Sequence, residues 1–194
     1  MINSKVISSF PVLILVMALF SCSTATVETA RNFEIVELPD GSVAYLNHNS
    51  AVGYDRNFDP RSVQLEGEVF FSVAEGSTPF VVHTDLGEVT VTGTEFNVKA
   101  EDEEIEVEVE EGSVELKTQQ HAEKVRGGEV AVFKKGGNEI NIGRAEFKFR
   151  IWMKELRVEF KKLGREIKRN AKEIGKESRE AGKELKKEMK KLKE

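Results

Sequence analysis

The sequence predicts an all-β body of short antiparallel strands, arranged as a sandwich, a roll or a solenoid-like coil, followed by one long amphipathic α-helix. Three observations carry that expectation. From Phe33 to about Ile142, apolar and polar residues alternate with a period of two, and turn residues interrupt the alternation every 8 to 12 positions, the spacing of strands in all-β domains. After Gly143 the period changes to about 3.6 and no proline follows. The charge divides at the same place: from Arg144 onward there are 19 basic and 10 acidic residues, a balance of +9, which leaves −14 before it within an overall −5. An acidic globular part and a basic exposed part are expected to have different jobs. At 194 residues, one domain with appendages fits and a large multidomain enzyme does not.

The N-terminus reads as an address. Lys5 precedes an uncharged run from Val6 to Phe20, which as a helix would span only about 22 Å against a hydrocarbon core of about 30 Å. A signal peptide is therefore expected over residues 1–21, with that run as its core, rather than a membrane span. The segment Leu19-Phe20-Ser21-Cys22 resembles the lipobox of bacterial lipoproteins. That resemblance implies cleavage before Cys22, acylation of its thiol and a membrane anchor; several acyl chains satisfy the requirement for stable attachment. The absence of an acidic residue at Ser23 or Thr24 favours the outer membrane. Small polar residues after the cysteine suggest a tether over 22–32.

Cys22 is the only cysteine, so neither an intrachain disulfide nor a thiolate zinc site is expected. His48, His83 and His121 lie far apart in sequence, and no metal or other cofactor is expected.

Within 33–143 the clearest strand is Ile105-Glu106-Val107-Glu108-Val109-Glu110, with apolar side chains on one face and carboxylates on the other. Val89 to Thr92, Glu95 to Lys99 and Ser113 to Leu116 alternate likewise. Asp40-Gly41, Glu111-Gly112, Gly127-Gly128 and Gly136-Gly137 mark turns. Val69-Phe70-Phe71 and Phe80-Val81-Val82 are continuously apolar and read as central strands covered on both faces. Gly67, between Glu66 and Glu68, suits a bulge or a close approach of backbone. Those two carboxylates could serve acid–base chemistry only in a shared cleft, and the ordinary reading is solvation or backbone bonding. The acidic run Glu101 to Glu104 lacks the spacing of a calcium loop and suits a soluble hairpin tip. With no nucleophile elbow, P-loop or dinucleotide fingerprint, an enzyme is not expected.

The ordered blocks Leu38-Pro39-Asp40-Gly41-Ser42, Val63 to Val73, Pro79 to Thr84, Gly93 to Val98 and Glu110 to Val114 resemble the periplasmic FecR domain over about Phe33 to Phe133. The resemblance implies a protein-binding β module of the cell envelope. Proteins of this kind relay the occupancy of an outer-membrane transporter to an extracytoplasmic-function sigma factor, often for iron uptake. Only five residues precede the hydrophobic run, so the expected role is without a sigma-binding segment of its own. The expected partner is an envelope protein, a transporter or a sigma-regulatory component.

Over 144–194, one helix is expected from about Ala145 to Lys193, close to 70 Å long at 1.5 Å per residue. Eight of the fourteen residues from Phe147 to Phe160 are apolar, too many to leave in water. Beyond them the stripe narrows to Leu163 and Ile167 and continues with Ala171, Ile174, Ser178, Ala181, Leu185, Met189 and Leu192. Trp152, Leu156, Phe160, Leu163 and Ile167 are the candidate interaction residues. The helix is compatible with an anionic membrane surface, with homo-oligomerisation or with a solvated spacer. A structural lipoprotein built on such a helix is the alternative function. Nucleic acid is not expected of an exported chain.

Overall fold

The computed structural model describes residues 24–191, so Cys22 and the signal segment lie outside it. Among the described residues there are thirteen strands and one helix: β1 Thr24–Glu28, β2 Glu34–Glu37, β3 Val43–Leu46, β4 Ala51–Asp55, β5 Ser62–Ser72, β6 Phe80–His83, β7 Glu88–Val91, β8 Glu95–Glu101, β9 Glu104–Glu111, β10 Ser113–Lys117, β11 Ala122–Arg126, β12 Glu129–Lys134, β13 Asn141–Arg144, and α1 Phe149–Lys191.

The strands form two layers that share β5. One layer runs β1-β4-β5-β6-β7-β10-β11 and the other β2-β3-β5-β8-β9-β12-β13, so the sheet nearly closes into a barrel. β5 changes layer in its middle: Ser62 to Glu66 pair in the first and Gly67 to Ser72 in the second. Gly67 makes this possible. Its φ is +82°, and a Cβ there would stand 2.6 Å from the Asn49 carbonyl oxygen, so the close approach expected at this glycine is real.

Alternation places the core. Ile105, Val107 and Val109 of β9 point inward and are fully buried. Phe71 of the second layer meets Phe80 of the first, 5.9 Å between ring centres, and Phe96 at 5.5 Å. Val69, Phe70 and Phe71 are all buried, so the middle of β5 is covered on both faces as expected. β6 is not: Phe80 and Val82 are buried while Val81 and His83 are half-buried, because only its inner face meets the core.

Three further expectations are corrected. The pairing is antiparallel throughout except between β5 and β6, which run parallel after the Val73–Pro79 connection. Residues 24–28 of the expected tether are a strand, pairing Thr24 with Asp55 through Glu28 with Ala51. Val27 packs on the core, and the Thr29 N–H and hydroxyl bond the Ser50 and Asn47 carbonyls at 2.8 and 2.6 Å, which a floppy tether could not do. The helix starts at Phe149 rather than near Ala145, since 141–144 are strand and Phe147 has a φ of +53°, incompatible with a helical turn.

Candidate protein-interaction surface

The helix lies on the outer face of the second layer, which becomes its dock. Phe149 stacks on Phe70 at 4.9 Å, and Trp152 lies 6.1 Å from Phe33, which itself stacks on His48 at 4.1 Å. Met153 and Leu156 complete this second apolar cluster, and Tyr45 and Phe160 pack at its margin.

A polar latch fastens the same contact. The Trp152 indole N–H donates to Glu68 Oε1 at 2.8 Å. Asn97 Nδ2 donates to the same oxygen at 3.0 Å and Asn47 Nδ2 to Oε2 at 2.8 Å. One carboxylate thus receives donors from β8, the end of β3 and α1, each a charge-assisted bond.

The helix has no acidic residue in its first turn, and the sheet supplies the missing negative charge. Glu108, only 2% exposed, accepts the Phe147 N–H at 2.8 Å. Glu110 pairs with Arg150 at 2.7 Å, and Arg150 sits over the Phe147 ring. Carboxylates at this end favour the helix dipole. Burial, and then the charge of Glu108, push Glu106 above the ordinary carboxylate range. Elsewhere in the domain, Arg61 grips Asp40 at 2.7 Å and also the Thr78 and Ala74 carbonyls. Burial would raise the Asp40 pKa, but the Ser42 N–H and Arg61 outweigh it and hold it low.

The predicted stripe divides. Trp152 and Leu156 are buried in the dock and Phe160 is half-buried, whereas Leu163 and Ile167 are 50% and 60% exposed. From Lys161 to Lys172 every side chain is exposed, so the helix leaves the domain as a free stem. Cys22 lies outside the described residues. Glu66 and Glu68 share no cleft: Glu66 is exposed, and Glu68 is committed to the latch. His83 faces Glu88 at the surface. At the acidic hairpin tip Lys99, Lys134 and Lys135 pair with Glu101, Glu104 and Glu103. A depression of about 560 Å³ opens among the hairpin tips, with Leu86, Gln120, Phe133 and Asn138 in its wall. Among the described residues, no helix is long and apolar enough to cross a membrane.

The latch and the cap were not anticipated from sequence. Asn97 carries no signal: between Phe96 and Val98 it takes the polar place in the alternation, where water is the ordinary partner. Glu108 carries none, since its neighbours alternate as a wet face would.

Residues 25–115 match the family model described as FecR protein. This segment is a FecR domain. The match begins inside β1 and ends in β10, so β1 is part of the FecR domain while the last three strands and the helix lie beyond the matched span. Two crystal structures of a candidate anti-sigma factor from Parabacteroides distasonis share the fold at a TM-score of 0.63, with 31% and 32% identity over 67% and 66% of this chain. The chain spans 64% of the length of each. No curated protein matches.

Proposed function

We propose that this protein is a non-enzymatic signalling module of the bacterial cell envelope, held at a membrane by acylated Cys22 and acting by gripping another envelope protein. The single observation that supports it best is the 31–32% identity, over a shared fold, with a candidate anti-sigma factor. The FecR domain is the sensory part in this reading, and the regulated output is a transporter system under an extracytoplasmic-function sigma factor, iron uptake being the leading case.

The strand at 24–28 sharpens the anchoring. A lipid on Cys22 leaves one residue, Ser23, before β1, so Thr24 would lie within about 7 Å of the acylated residue. The domain would be held against the bilayer by its β1 edge rather than swing on a leash.

Two measurements test this reading. A Cys22→Ser variant is expected to lose fatty-acid labelling and to keep its signal segment uncut, since the cut follows acylation of the thiol; a variant that is still labelled and cut refutes the lipoprotein assignment. Deleting the gene in its own host is expected to shift a confined set of transporter transcripts under one sigma factor, and an unchanged transcript profile refutes the signalling role.

A further inference from the structure

The stem and the β2 edge form one composite site. At 100° per residue, Phe149, Trp152, Met153, Leu156, Phe160, Leu163 and Ile167 fall within an arc of about 100°. The stripe that docks on the sheet therefore runs unbroken into the stem, facing the same side. The anchor points give the direction: Phe147 and Arg150 sit at β9, and Trp152 at β5 and at Phe33, just ahead of β2. The layer order between them is β9-β8-β5-β3-β2, so the stem leaves across β2. Among the described residues β2 pairs only with β3. Ile35 lies opposite Tyr45 of the dock in that pairing and is still 38% exposed. From Lys161 to Lys191 the stem is about 46 Å long, room to roof several strands at about 4.8 Å each.

Two other occupants fit poorly. A flat membrane is held away from a stripe that faces the same side as the β domain. A second copy in parallel would need the space that this domain fills. Antiparallel, it would set Glu155, Glu159 and Glu166, which share one flank of the stripe, against the same flank of its mate, and the Arg157, Lys161 and Lys168 flank likewise.

We infer that β2 and the stem together capture an extended segment of a partner protein, which adds to the second layer as a strand beneath the stem. Backbone pairing supplies affinity and the stripe selects alternate apolar side chains. Glu34 and Glu37 close β2 at both ends, Glu34 half-buried and Glu37 exposed, so the captured segment carries Lys or Arg opposite them. The same glutamates disfavour pairing of β2 with itself. This deepens the signalling reading by stating where and how the partner is held.

The test places a photo-crosslinking side chain at Ile35, and separately at Ile167, in the full chain in its own host. Both sites are expected to yield an adduct with one and the same protein, while Ile142 on the far edge strand β13 does not. A Glu34→Lys/Glu37→Lys variant, with an unchanged melting temperature, is expected to lower both adducts about tenfold. Adducts only with a second copy or with lipid, different proteins at the two sites, no protein adduct, or indifference to the charge reversal would each overturn the inference. The transcript response to gene deletion is read separately, so this site can fail while the signalling role stands.

Discussion

Trp152 and Glu68 lie 84 residues apart in sequence, yet the indole nitrogen reaches the carboxylate at 2.8 Å and joins the helix to the centre of the sheet. Trp152 is also the only tryptophan, so its fluorescence reports directly on this union. Trp152→Phe keeps most of the apolar contact and removes the N–H, and is expected to cost about 1–2 kcal/mol. Glu68→Ala orphans three donors and is expected to cost about 3 kcal/mol or more. Urea titration followed by circular dichroism gives both values. In Glu68→Ala the Trp152 emission should shift to the red before global unfolding; coincident transitions would show that the latch is not a separate unit.

The divided stripe gives a second expectation. Leu156→Ala, in the dock, is expected to destabilise by about 2–4 kcal/mol. Leu163→Lys and Ile167→Lys, on the exposed stem, should stay within about 0.5 kcal/mol of the parent chain. A large loss from either stem variant would mean that the stem packs on this domain after all.

Acidity separates two carboxylates by sign. Glu106 is held above its ordinary value near 4.5 by burial and by Glu108. Its contribution is therefore full below the unfolded value and is lost as pH rises through the folded one. Asp40 is held below 3.8, and its contribution is present above that value and lost as pH falls through the lowered one. Glu106→Gln should accordingly flatten the decline in melting temperature above pH 4.5. Asp40→Asn should lower the melting temperature at neutral pH and converge on the parent in acid. Melting curves from about pH 3 to 8 check both at that coarse scale.

Two glycines should respond in opposite directions. Gly67→Ala meets both an unfavourable φ and the Asn49 carbonyl at 2.6 Å, and a loss of about 2 kcal/mol or more in global stability is expected. At Gly164 nothing lies within 4 Å of the place a Cβ would occupy. Gly164→Ala should therefore strengthen the stem by up to about 1 kcal/mol, seen as slower amide exchange in the stem and not as a higher global midpoint.

Local chemistry was enough for the β body, its turns and the change of period after Gly143. The alternation Ile105 to Glu110 decides which residues enter the core whatever surrounds the strand, because successive side chains must leave opposite faces. The same rule could not say that the outer face of that strand is roofed. Glu108 belongs to the polar half of the alternation, yet it is buried and accepts the Phe147 N–H from the turn that leads into the helix, a segment from much later in the chain. Likewise Thr24 to Glu28 has no strong strand signal of its own and becomes a strand because Ala51 to Asp55 offers an unpaired ladder. The stripe from Phe149 to Ile167 was legible as a single apolar face. Where docking ends and the stem begins was decided by the width of the sheet, since coverage stops where the strands stop. Periodicity records which side of an element avoids water; only the packed layers determine what covers that side and how far.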